Sequence, residues 1–295
     1  MWDIPENSDP ASSLQAALDS TDNSVIQPGS GIFKGQFEIR RNGITLLGKD
    51  PTRTILTGGL YAKKKHPFLD EPLGTFRSYT LLIYADDITL KGLTVENTAG
   101  FGDGIGQAVA LYAEGNSITV ENCILKGRQD TLFTGPLPPK EIEPGGFRGP
   151  TEKAPRIQGH QLYKNCYIEG DVDFIFGSAH AEFENCHIHS LDRGKEINGF
   201  ITAPSTPEGA EIGYVFRNCT FTSDCPVNSV YVGRPWREYA KATFIDCEFG
   251  AHIKKELVHD WNKPLAHKYS RFEFIHCRFN GSILERSSDF VSIID

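Results

Sequence analysis

Six of the seven cysteines share one context: a short β-branched or aromatic run ends in a polar residue, Cys follows, and a second alternating run begins. The junctions are Asn122-Cys123, Asn165-Cys166, Asn185-Cys186, Asn218-Cys219, Asp246-Cys247 and His276-Cys277, preceded by SITVEN, QLYKN, AEFEN, YVFRN, ATFID and FEFIH. Intervals run from 20 residues (Cys166 to Cys186) to 43 (Cys123 to Cys166). A constant strand core at irregular spacing indicates a solenoid, in which every coil supplies the same strands and loops of differing length project between coils. The expected fold is all-β, a parallel β-helix forming a single domain over residues 1–295. The tetrapeptide Thr94-Val95-Glu96-Asn97 recurs as Thr119-Val120-Glu121-Asn122, suggesting an earlier coil with Thr98 in the cysteine place.

Stacking decides which residues become neighbours, because equivalent positions on successive coils lie about 4.8 Å apart. Asp130 follows Cys123 by seven residues and Asp173 follows Cys166 by seven, so the two carboxylates share one offset on consecutive coils. The flanking runs also match, Asp130-Thr131-Leu132-Phe133 against Asp173-Phe174-Ile175-Phe176. Two carboxylates one rung apart cannot both ionise cheaply, so one is expected to hold its proton while the other is an anion. Solvated turn aspartates are the competing reading, and the apolar neighbours argue against it.

Cysteines stacked in a ladder are small buried hydrophobes, and the odd count agrees with reduced thiols. Residues Asp9 to Leu18 read as a capped helix with Pro10 in its first turn and Leu14, Ala17 and Leu18 on one face, placed to plug an open solenoid end. Two stretches interrupt the strands: Gly58 to Gly74, carrying Lys63-Lys64-Lys65, and the Pro- and Gly-rich 135–159 segment. Both are expected to be long loops inserted between coils, because the repeat resumes after each. The asparagines before the cysteines suit left-handed turns and side-chain hydrogen-bond ladders.

A net charge of −8 argues against nucleic acid as a partner. The polar start after Met1 gives no membrane span and no signal peptide, so a cytoplasmic location is expected, with secretion from a longer precursor as the alternative.

Five motifs in order now resemble the pectin methylesterases, the pectinesterase family: Gly74-Thr75-Phe76-Arg77-Ser78, Gly106-Gln107-Ala108-Val109-Ala110-Leu111, Gln129-Asp130-Thr131-Leu132, Asp173-Phe174-Ile175-Phe176-Gly177 and Gly233-Arg234-Pro235-Trp236. The resemblance runs from about Val25 to Phe279. It implies a right-handed parallel β-helix whose substrate is methylesterified homogalacturonan or its oligomers. Asp173 matches the family's nucleophile, which forms an acyl-enzyme anhydride, and Arg234 matches the arginine that holds it. Asp130 matches the general acid and later base, and Gln107 and Gln129 match the amides that stabilise the oxyanion. Trp236, Phe133 and Phe176 match aromatic positions lining the family's cleft, and Thr75 is a further carry-over to the substrate site. No metal and no cofactor are implied. His187 and His189 share a strand face as metal ligands can, but no further ligands stand at recognisable spacing.

In the family the two aspartates are commonly one short coil apart, whereas here the 135–159 insertion intervenes. Such a loop is placed to wall one end of the groove and favour short chains. Rival readings on the same solenoid are a polygalacturonase, a pectate lyase or a non-catalytic sugar-binding module. The first two would show other carboxylate clusters. The third would lack one of Asp130, Asp173, Gln129 or Arg234.

Overall fold

The computed structural model describes residues 9–280 and 289–295. Among the described residues, three parallel sheets of ten, nine and seven strands run along one axis, each coil adding a strand to a sheet and then passing to the next. One coil places Ile118–Glu121 in the first sheet, Ile124–Lys126 in the second and Leu132–Thr134 in the third. The next repeats this with His160–Lys164, Tyr167–Gly170 and Val172–Gly177. Coils pair in register, Val120 opposite Tyr163, Leu125 opposite Ile168 and Leu132 opposite Ile175. This is a parallel β-helix, wound in the right-handed sense that twisted parallel strands favour.

The turn from first to second sheet explains the cysteine junctions. Asn122, Asn165, Asn185, Asn218, Asp246 and His276 all sit at φ between 51° and 53°, a left-handed bend that Asn and Asp tolerate best among non-glycine residues. The bend turns the following Cys inward. Its thiol donates to a carbonyl of the preceding coil: Cys166 to Val120, Cys186 to Tyr163 and Cys219 to Phe183, each at 3.3 Å. All seven cysteines are free thiols, and burial pushes the Cys123 thiol up to about 12, which keeps it unreactive. The expected asparagine side-chain ladder is absent among the described residues. These side chains are exposed, and the ladder here is one of backbone amides, Asn122 N–H to the Lys164 carbonyl and Asn165 N–H to that of Glu184, both 2.9 Å.

The register also corrects the reading of Thr94–Asn97. That strand belongs to the second sheet, with Thr94 opposite Ile124, whereas Ile88–Lys91 pairs with Ile118–Glu121. The earlier coil therefore carries Gly92 (φ 66°) and buried Leu93 at the junction, and Thr98 is not the cysteine equivalent. Two similar tetrapeptides lie in different sheets because every strand of a solenoid meets the same alternation of core and solvent.

Inside the first sheet, Tyr163, Phe183, Phe216, Phe244 and Phe274 stack nearly parallel at 4.4–4.8 Å, one ring per coil. The helix Pro10–Asp19 closes the N-terminal end. Asp9 caps it by accepting from Ser12 N–H, and Leu14, Ala17 and Leu18 are buried. Gln15 accepts from Glu38 N–H (2.9 Å) and donates to the Glu38 carbonyl (3.0 Å), pairing the edge strand of the third sheet that a neighbouring chain would otherwise find open. No helix among the described residues is long and apolar enough to cross a membrane.

Candidate active site

The third sheet carries the chemistry on its outer face. Register places Leu82, Tyr112, Phe133, Phe176 and Ala203 in one outward-facing row, a residue per coil. Three residues before Phe133 and Phe176 stand Asp130 and Asp173, so the equal offset in sequence does become adjacency in space; the Asp130 amide bonds the Val172 carbonyl at 3.0 Å. Both aspartates take left-handed φ, 68° and 48°, which lifts their side chains out of the strand alternation toward a cavity of 420 Å³.

That cavity brings together Thr75, Gln107, Gln129, Asp130, Asp173, Phe176, Arg234 and Trp236, eight of the nine residues singled out from sequence. Arg234 grips Asp173 with both arms of its fork, Nε to Oδ1 at 2.8 Å and Nη2 to Oδ2 at 2.7 Å. A bidentate pair of this kind fixes the carboxylate's plane and orientation. Asp130 is only 7% exposed. Burial above all, and then the neighbouring Asp173 charge, raise its pKa well above the ordinary carboxyl range, with Arg234 opposing. The cavity therefore holds a proton donor beside a clamped carboxyl group, with Gln107 and Gln129 among its lining residues.

Phe133 does not line the cavity. It is fully buried, because Phe76 lies edge-on above it at 5.1 Å and the cluster is closed by Leu137 and Phe147 of the long insertion. Phe176 is nearly buried (3%) and reaches the cavity only at its rim.

Several site residues carried no signal in the sequence. The Arg234 guanidinium is sandwiched between Phe200 (3.8 Å) and Trp261 (3.7 Å), a desolvating clamp that keeps the fork planar to Asp173. Lys263 Nζ donates to the carbonyls of Pro235 (2.8 Å) and Trp236 (2.9 Å) and lies over Trp261, which ties the downstream loop to the Arg234 segment. Burial and the nearby Arg237 lower its pKa to about 8. Asp171, two residues before Asp173, is buried against Arg128 (2.8 Å), its pKa raised by burial in spite of that partner. Phe200 stands on a strand of the third sheet, Gly199–Pro204, whereas Trp261 and Lys263 come from a loop whose landing point local spacing does not encode.

The histidines of the Cys186 segment lie elsewhere. His187 and His189 both meet the Thr222 hydroxyl at 2.6 and 2.8 Å, so the pair from the Cys186 segment has a hydrogen-bonding role. His160 and His180 flank Glu182 on the outside of the first sheet, where Arg217 also approaches that carboxylate.

A sequence model described as Pectinesterase matches residues 11–136 and 156–276, most of the chain. The chain belongs to the pectinesterase family. That is a family of carboxylic ester hydrolases. Pectinesterase 31 of Arabidopsis thaliana is 32% identical over 281 residues, covering 92% of this chain and 80% of the relative. A probable pectinesterase/pectinesterase inhibitor 64 from the same plant is 28% identical over 86% of the chain, and there the match spans only 41% of the longer relative. Among solved structures, the pectin methylesterase from Yersinia enterocolitica superposes with a TM-score of 0.78 at 24% identity, covering 96% of this chain and 93% of that one. A pectin methylesterase mutant in complex with a hexasaccharide gives 0.77 at 23% identity, covering 96% and 88%. These two likenesses establish the fold of this pectinesterase-family chain as that of the pectin methylesterase β-helix.

Proposed function

We propose that the protein is a pectin methylesterase that hydrolyses methyl esters of galacturonate units in homogalacturonan or its oligomers, with Asp173 as nucleophile. The observation that carries this reading is the pairing of an Arg234-clamped carboxylate with a buried, proton-holding Asp130 in one cavity. Family membership supports the ester as substrate, and the hexasaccharide-bound relative supports an oligosaccharide in the groove.

In this mechanism one Asp173 oxygen attacks the ester carbonyl carbon, and the charge gathered on the carbonyl oxygen is met by amide N–H groups of Gln107 and Gln129. The carbon–methoxyl bond then breaks as Asp130 gives its proton to the departing oxygen, releasing methanol and leaving an Asp173 anhydride. Asp130, now a carboxylate, takes a proton from water, and the hydroxide attacks the anhydride carbonyl of the sugar. The carbon–oxygen bond to Asp173 breaks, Asp173 returns to its carboxylate form, Asp130 carries the proton taken from water, and the galacturonic acid unit ionises by giving its own proton to solvent. Asp130 must stay neutral between turnovers, and burial does that. Asp173 must attack as a carboxylate from the same cavity, and the Arg234 fork holds it in place there.

The test is methanol release from highly methylated pectin and from methylated oligogalacturonides. Release by the wild type, lost in Asp173→Ala and in Asp130→Asn, supports the assignment. Folded wild type that releases none from either substrate overturns it.

A further inference from the structure

The segment 137–155 is the gap between the two stretches matched by the family, and the fold lays it beside the cavity. Three sets of contacts pin it there. Leu137 and Phe147 are buried in the apolar cluster on the outer face of the third sheet, with Phe147 edge-on to Phe76 at 5.9 Å and to Trp236 at 6.2 Å. The Thr151 hydroxyl, fully buried, donates to the Glu114 carboxylate at 2.6 Å and also meets the Tyr112 hydroxyl. Arg148 pairs with Glu71 of the other long loop, and Arg237 Nη2 donates to the Lys140 carbonyl at 2.9 Å.

So held, the segment presents Ile142, Glu143, Gly146 and Phe147 to the cavity on the side where the strands of the third sheet end, past Phe176 and Trp236. On the opposite side, where those strands begin, the groove continues. Gln107 and Gln129 also border a second depression, lined by Lys63, Phe101, Arg193 and Lys195 together with Asp103 and Asp171. One arm of the groove runs on and the other ends in a wall.

We propose that residues 137–155 stop the substrate chain just beyond the reacting unit, so that the enzyme selects methylated galacturonate at or next to the end of a short oligosaccharide. This rests on the esterase reading above and names its substrate class. A long chain reacting at an internal unit must leave the site through both arms. On the walled side it would have to lift Phe147 from its aromatic neighbours and break the Thr151 and Arg237 hydrogen bonds, whereas a chain end meets no such obstacle. Chain ends are scarce in polymeric pectin and abundant in oligomers, so rate per methyl ester falls as chain length grows.

The experiment compares kcat/KM per methyl ester on methyl-esterified trigalacturonate and on long-chain pectin of equal methylation. Wild type is expected to favour the trimer by roughly tenfold or more. Replacing residues 138–150 with a short Gly-Ser linker should raise the value on long chains and bring the ratio toward one. Ile142→Ala combined with Glu143→Ala, two exposed positions outside the buried anchors, should shift it the same way without threatening the fold. Equal or faster release from long chains by the wild type, or an unchanged ratio in a folded linker variant, overturns the wall while leaving the esterase intact. No methanol from either substrate by folded wild type overturns the esterase reading and this inference with it.

Discussion

At the turn between the first and second sheets, Asn122, Asn165, Asn185 and Asn218 adopt a left-handed bend, remain exposed, and turn a cysteine into the core. At the entrance to the third sheet, Asp130 and Asp173 adopt the same kind of bend but are themselves buried, 7% exposed each. The backbone device is common to both regions, and the surroundings differ. In the first, the polar side chain is solvated and the bend serves packing. In the second, the side chains are covered by other parts of the chain, and Asp130 bears the desolvation and acquires a shifted proton affinity. Repetition supplies positions, and burial supplies chemistry.

The largest blow to that contrast should come from Asp173→Ala, which removes the clamped anion. Methanol release is expected to fall roughly 10⁴-fold, with the far-ultraviolet circular dichroism of the β-helix unchanged. Arg234→Lys keeps the charge but loses the fork and its fit between Phe200 and Trp261. Misplacement of the nucleophile on that scale costs about 10²-fold in kcat, and an unaltered rate would show that the bidentate geometry is dispensable.

Asp130→Asn sharpens the comparison through stability. Asp130 binds its proton more tightly in the folded protein than in the unfolded chain. Its stabilising contribution is therefore fully present below the unfolded carboxyl value of about 4 and is lost as pH rises toward the folded value. The Asn variant loses nothing over that range and keeps a residue suited to left-handed φ. At neutral pH it should be more stable than wild type by about 0.5–2 kcal/mol, raising Tm by about 2–4 °C per kcal/mol, while turnover falls about 10²–10⁴-fold. The difference in Tm should shrink toward pH 4; thermal melts at several pH values would show it, and a gap that is constant with pH would contradict the assignment.

Changes at the structural bends should move stability alone. Cys219→Ala removes a buried thiol and its bond to the Phe183 carbonyl, at a cost of about 1 kcal/mol. Asn185→Gly keeps the left-handed bend accessible and should cost only a few tenths of a kcal/mol. Both variants should retain wild-type turnover per folded molecule, and a loss of turnover in either would mean that the two regions are coupled.

Much of this was legible in the chain because a solenoid is nearly one-dimensional. Each coil touches mainly its neighbours, so the equal offsets of Asp130 and Asp173 from Cys123 and Cys166 translate directly into stacking, and the capping signals around Asp9 and Pro10 translate into the plugging helix. The same regularity misled at Thr94–Asn97, since a short strand pattern cannot say which sheet it occupies. Phe133 was misplaced for a different cause. Its alternation points it outward, and whether an outward residue meets solvent depends on what lies over it, here Phe76 and the 137–155 segment.

Strand spacing and the residue types at the bends were enough to set the coil, its register and the meeting of two carboxylates, because those depend on contacts between adjacent rungs. Only the tertiary structure decided which carboxylate keeps its proton, that Trp261 closes the clamp on Arg234, and where the groove ends. Trp261 and Phe147 reach the cavity through contacts between distant segments, and such contacts leave no periodic trace in sequence.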